Sequence, residues 1–179
     1  MSVPTRWIGP LLLAAALTAG LGARLSAQAE DGLRVGSPAP RVAVTDLAGR
    51  AVDLRRLIGV KPVFLEFWAT WCEVCAALMP TFEAAHAALG GAFEFLVVNV
   101  AVNQTRDRVR RYVADRKPPF MALYDEEATS TRAYHVPTTS YVVIIDRAGR
   151  VVYTGSGASQ DFEPALRKVS ASAPLPPRR

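Results

Sequence analysis

Both cysteines of the chain, Cys72 and Cys75, fall in the run Phe67-Trp68-Ala69-Thr70-Trp71-Cys72-Glu73-Val74-Cys75. A Cys-x-x-Cys at the start of a helix can open and close a disulfide. The helix end favours a thiolate on the first sulfur, and the second lies one turn further in, close enough to resolve a mixed disulfide. As a structural staple the pair would add little, because it closes a very short loop. The residue types therefore point to thiol–disulfide exchange. Metal binding is the rival chemistry. Structural zinc takes four ligands, and beyond the two cysteines the chain offers only His86 and His135 as imidazoles. His86 lies near the apolar stripe of its predicted helix, about three turns beyond Cys75, and reads as a helix-face residue. No metal and no cofactor is expected.

The elements around the pair fit that chemistry. Pro62 to Phe67 is unbroken apolar sequence except for Glu66 and predicts a buried central strand. After Cys72, the positions Cys75, Leu78, Met79, Phe82 and Leu89 form one helical stripe, with Pro80 expected to kink it. Upstream, Arg41 to Leu47 and Ala51 to Leu54 flank the turn Ala48-Gly49-Arg50 and predict a β-hairpin. Leu54 to Gly59 reads as a connector or single helical turn. Downstream, Phe93 to Val100 predicts a second buried strand. Thr105 or Asp107 caps a helix to about Arg116, stopped by Lys117-Pro118-Pro119. Phe120 to Tyr124 is a short strand and Asp125 to Tyr134 a short helix. Tyr141 to Ile145 and Arg150 to Thr154 form a hairpin, and Asp161 to Ser170 a last helix. Strands alternating with helices, closed by a hairpin and helix, predict an α/β fold with a mixed central sheet flanked by helices and an N-terminal hairpin extension.

The ends of the chain are of a different character. Arg6 precedes the apolar run Trp7 to Ala23, and Ala27-Gln28-Ala29 is a small-x-small site. Residues 1–29 therefore read as a secretory signal, which implies a periplasmic or otherwise exported protein, soluble after cleavage. An uncleaved membrane anchor is the alternative, weakened by Gly9, Pro10, Gly20 and Gly22. Residues 30–170 form the domain, and 171–179 a Pro/Arg tail expected to be disordered. The formal charge of +5 falls to +3 without Arg6 and Arg24, a balance that calls for no nucleic-acid partner. Arg106, Arg108, Arg110, Arg111, Arg116 and Lys117 share one predicted helix without interleaved aromatics and read as a solvated face.

Several marks together resemble the thioredoxin superfamily, and more closely its exported TlpA/ResA/CcmG branch, over roughly residues 36–170. Gly36-Ser37-Pro38-Ala39-Pro40 is similar to the branch's opening G-x-x-A-P. Phe67 to Cys72 is close to its F-W-A-T-W-C, Pro80 sits where its active-site helix kinks, and Ile145 to Val151 resembles its I-D-x-x-G-x-[IV] hairpin. The resemblance implies a thiol–disulfide oxidoreductase acting on protein disulfides. It suggests apocytochrome c or copper-site proteins as targets, with a membrane electron-donor protein to renew the dithiol. Leu78 departs from the branch, many members of which carry Glu there, and weakens the tie to cytochrome maturation.

Roles follow residue by residue. Cys72 attacks and Cys75 resolves. Glu66 matches in type the buried acid that thioredoxins carry six residues before the first cysteine. Desolvation should raise its pKa and suit it to take the Cys75 proton, unless Lys61 pairs with it or the strand is an edge. Glu73 sets a negative charge beside Cys72, opposing the thiolate, and with Val74 tunes the couple toward reducing. Trp68 and Trp71 are candidates for the apolar surround on which a partner docks, although Trp68 could equally be core. The family faces its disulfide with a cis-proline, six residues after the helix-end tyrosine. Counting from Tyr134 puts Ser140 in that slot, preceded by Thr139 as backbone partner of the substrate. Pro137 fills it only with an insertion. A cis bond to Ser is unfavourable, so this loop is expected to be trans and more open. The copper-chaperone alternative would use Cys72, Cys75 and His135, since the family fold brings the His135 loop toward the disulfide. A disulfide oxidant or isomerase is the alternative within the class.

Overall fold

The computed structural model describes residues 32–172. The signal or anchor segment and residues 173–179 of the tail lie outside the described residues. Twelve elements follow in order: β1 (Ala43–Asp46), β2 (Ala51–Asp53), a 3-10 turn (Leu54–Arg56), β3 (Val63–Trp68), α1 (Glu73–Leu89), β4 (Glu94–Asn99), α2 (Arg106–Arg116), β5 (Met121–Tyr124), α3 (Thr129–Ala133), β6 (Tyr141–Ile145), β7 (Val151–Gly155) and α4 (Glu163–Ala171). The strands form one seven-stranded sheet in the order β2-β1-β5-β4-β3-β6-β7. The expected N-terminal hairpin is part of this sheet, because Thr45 and Asp46 of β1 pair with Tyr124 and Leu123 of β5.

β3 is the centre of the molecule. It runs parallel to β4 and antiparallel to β6, and all six of its residues are buried. Alternation along an extended strand sends Phe64, Glu66 and Trp68 to one face and Val63, Leu65 and Phe67 to the other. The first face is covered by three helices. Phe64 meets Phe82 of α1 at 4.5 Å between ring centroids and Phe162, the residue before α4, at 4.8 Å, while Trp68 meets Tyr112 of α2 at 5.2 Å. On the second face Phe67 packs on Tyr134 at the end of α3 and on Tyr141. The N-terminal segment closes that face, since Tyr134 Oη donates to the Pro40 carbonyl and Leu33 N–H donates to Tyr141 Oη. Truncating Phe82, fully buried among Phe64, Phe95 and Phe120, should cost about 3–5 kcal/mol.

Local signals place most boundaries. Thr105 caps α2 through its hydroxyl, which accepts from Arg108 N–H, and Lys117 ends it in the left-handed conformation. α1 continues through Pro80. α3 is shorter than the sequence suggests. The Asp125 carboxylate folds over its start, accepting from the N–H and hydroxyl groups of Ser130 and Thr131, so Asp125 to Ala128 form a turn that precedes the helix. The arginines of α2 are largely engaged locally: Arg106 with Glu126 and over the Tyr124 ring, Arg110 with Asp107, Arg116 over Tyr112.

Candidate active site

Strand directions gather one set of loops. Because β3 and β4 are parallel, β6 antiparallel to β3 and β7 antiparallel to β6, the chain leaves β3, β4 and β7 and enters β6 at a single end of the sheet. The segment Ala69 to Cys72 leaves β3 there and enters α1. Cys72 is the N-cap of α1, and its Sγ accepts the backbone N–H of Cys75 at 3.0 Å. That is the helix-end contact that favours negative charge on the first sulfur. The two sulfurs are joined in a disulfide. Cys72 is 8% exposed and Cys75 2%, so the attacking sulfur is the more accessible.

Glu66 lies six residues before Cys72, in the middle of β3. It is fully buried, and neither carboxyl oxygen has a hydrogen-bond partner within the protein. β3 is paired on both sides, which removes the edge-strand reading, and no contact to Lys61 satisfies the carboxyl. Burial alone raises its pKa from 4.5 to about 8. Glu66 shares its sheet face with Trp68 and, across the β3–β4 register, with Val97 and Asn99. The inward side of α1, carrying Cys75, Leu78 and Phe82, covers this same face. The acid therefore belongs to the layer into which Cys75 points.

The rim of the pair is apolar. Trp71 and Val74 are each 44% exposed, and Glu73 is exposed in the first turn of α1. Trp68 is 3% exposed and belongs to the core, which resolves its two readings. The loop after β4, not singled out in the sequence, holds the active-site segment from the side. Gln104 Oε1 accepts Thr70 N–H at 3.0 Å, and Trp71 Nε1–H donates to the Val102 carbonyl at 2.8 Å. That loop carries Ala101 and Asn103 at positive φ and is braced by Tyr124 Oη donating to the Gln104 carbonyl. Its signal in the sequence is faint: a polar Asn-Gln-Thr stretch directly after a buried strand.

On the facing side, β6 begins at Tyr141, opposite Phe67, so Ser140 stands beside the end of β3. Pro137 is three residues upstream and exposed. Among the described residues no peptide bond is cis. The loop is not open as expected. Ser140 is 2% exposed with φ +63°, a conformation that costs a non-glycine residue on the order of 1–2 kcal/mol. Its Oγ accepts Gly157 N–H at 3.0 Å and its carbonyl accepts Gln160 Nε2–H at 2.9 Å. Thr139, just before it, is half-buried and His135 is exposed. Among the described residues no three or more His, Cys, Asp or Glu side chains are arranged to hold a metal ion.

Comparison with known proteins identifies the family. Residues 34–169 match the Redoxin family. The thiol-disulfide oxidoreductase ResA of Geobacillus thermodenitrificans is 30% identical over 162 residues, 89% of this chain and 91% of that protein. ResA of Geobacillus kaustophilus is 31% identical over 138 residues, covering 75% and 78%. Among solved structures, a Chlorobium tepidum protein described as a thiol:disulfide interchange protein DsbE superposes with a TM-score of 0.67 at 26% identity, covering 78% of this chain and 97% of its own. The chain thus belongs to the Redoxin family, within the thioredoxin superfamily and on its TlpA/ResA/CcmG-like branch, and is a thiol-disulfide oxidoreductase.

Proposed function

We propose that this oxidoreductase works as an exported reductase of disulfides in partner proteins. The observation that carries the reading is the unpartnered, buried carboxyl of Glu66, raised to about 8, beneath a pair whose first sulfur caps a helix. In the reduced protein the Cys72 thiolate attacks a substrate disulfide, forms a mixed disulfide and expels one substrate sulfur as thiolate. The Glu66 carboxylate takes the Cys75 proton, directly or through water. Cys75 sulfur then attacks Cys72 sulfur, forming the Cys72–Cys75 bond and releasing the second substrate thiolate. Two electrons pass to the substrate, and the protein ends oxidised. A pKa near 8 lets Glu66 both accept and return that proton close to neutral pH.

Other residues tune this cycle. Trp71 and Val74 supply the apolar rim on which the partner docks, Thr139 and Ser140 the backbone beside it, and Glu73 the charge that biases Cys72 against the thiolate. Export rests on Arg6, the run Trp7 to Ala23 and the Ala27-Gln28-Ala29 site. An exported dithiol needs an external two-electron donor, which in this reading is a membrane electron-donor protein. The membrane enters otherwise only if the N-terminal segment stays uncleaved.

Equilibration with glutathione tests the direction. A potential well below that of the glutathione couple is expected; one near the strong-oxidant value of about −120 mV would reverse it. Cys75→Ser should hold a partner as a mixed disulfide on Cys72.

A further inference from the structure

The segment that enters β6 is held by a side chain from another loop. Gln160 lies just after β7, and every polar atom of its amide is engaged. Nε2 donates both to the Ser140 carbonyl at 2.9 Å and to the Gly157 carbonyl at 2.7 Å, and Oε1 accepts from Tyr153 Oη at 3.3 Å. Gly157 returns the contact through its N–H to Ser140 Oγ, and its own φ of +103° is one that glycine adopts freely. The loop closes tightly around the amide: a Cβ on Gly155 would stand 2.9 Å from Gln160 Oε1 and closer still to Tyr153 Oη. The result is a buried Ser140 kept at φ +63°, although serine gains nothing intrinsically from that conformation.

Geometry makes this hold consequential. Tyr141 and the residues after it are anchored in the sheet by pairing with β3. If Ser140 relaxed to negative φ, rotation about its N–Cα bond would therefore swing the preceding peptide, which carries the Thr139 carbonyl and the Ser140 N–H. We propose that Gln160 is a positioning residue for substrate recognition: by fixing Ser140 it aims the Thr139–Ser140 peptide at the backbone of an extended segment of the disulfide-bearing partner protein. This rests on the reading of Thr139 and Ser140 as the substrate-side backbone. Recognition of an extended chain by main-chain hydrogen bonds tolerates little rotation of the recipient peptide, so its pre-orientation contributes directly to affinity.

The test uses the full chain, insulin as disulfide substrate and dithiothreitol as electron donor. Gln160→Met keeps length and volume but removes both donated hydrogen bonds. The expected result is a KM for insulin raised about tenfold, with kcat and the equilibrium constant against glutathione each within about twofold of the parent, because the Cys72–Cys75 pair is untouched. Should Gln160→Met fail to refold, Gln160→Glu is measured instead; its carboxylate cannot donate to the Ser140 and Gly157 carbonyls, and the same rise in KM is expected. An unchanged KM overturns the inference. So does a KM change accompanied by equal changes in kcat and in the glutathione equilibrium, which would mark general damage. A parent protein that exchanges with glutathione yet leaves insulin oxidised would instead overturn the protein-substrate reading, and the inference with it.

Discussion

The two loops that face each other across the disulfide are stabilised in different ways. The Cys72 side is built from local rules: a buried strand, a short turn and a helix whose first turn is capped by the reactive sulfur itself. Gln104 adds one lateral hydrogen bond to Thr70. The Ser140 side has no such local logic. Its conformation is intrinsically unfavourable and is held by hydrogen bonds with Gly157 and Gln160, from beyond the next strand. The disulfide therefore sits on a segment that its own sequence would shape, and it faces one that its neighbours must hold.

The largest expected effect breaks the first side outright. Cys72→Ala should reduce insulin reduction to the uncatalysed background while leaving the fold intact, as followed by turbidity and far-ultraviolet circular dichroism. No other thiolate at the helix start could replace it.

Glu66 comes next and acts on stability with a definite sign. Its folded pKa of about 8 lies above the unfolded value of 4.5, so its contribution is fully present below 4.5 and is lost as pH rises toward 8. The oxidised protein should lose on the order of 3 kcal/mol between pH 4.5 and pH 7 from this group. Glu66→Gln should flatten that dependence in urea unfolding measured at a series of pH values. It should also slow release of the mixed disulfide. A slope identical to the parent's would remove Glu66 as the buried acid.

The second side offers a sharper contrast. Ser140→Pro would place proline in a backbone at φ +63° that it cannot adopt. It should destabilise by about 2 kcal/mol or more. Ser140→Gly exchanges relief of the left-handed conformation for loss of the Gly157 contact and should move the melting midpoint little. A stabilising Ser140→Pro would show that the network around Gln160 is dispensable.

The smallest effect is expected at Gln104. Gln104→Met leaves Thr70 N–H without its acceptor and should cost about 1 kcal/mol in unfolding free energy. Because Thr70 belongs to the segment leading into Cys72, the glutathione equilibrium should shift measurably here. For Gln160→Met it should not. Equal behaviour of the two variants would erase the distinction between the loops.

Much of the site was legible in the sequence for a physical reason: its decisive features are local. Strand β3, the Cys-x-x-Cys at a helix start, the stripe Cys75-Leu78-Phe82 and the buried type of Glu66 all follow from periodicity and spacing over a dozen residues. Counting along the chain also located Ser140 beside the end of β3, because the strand that follows has a definite length. The openness expected of its loop did not materialise, since a count along one segment carries no information about a side chain arriving from another. The start of α3 was misjudged for a similar reason. Asp125 reads as an acid in a first helical turn, but its carboxylate satisfies four donors from outside the helix.

By itself, then, the sequence determined the chemistry: two unequal sulfurs at a helix start and an acid in the strand before them. The tertiary structure alone decided how those groups are framed. It joined the N-terminal hairpin to the sheet through β5, and it brought Gln104 to Thr70 across 34 residues and Gln160 to Ser140 across 20. Such long-range contacts between a side-chain amide and a backbone group have no periodicity to betray them. They exist only once parallel and antiparallel strands have delivered four separate loops to one end of the sheet.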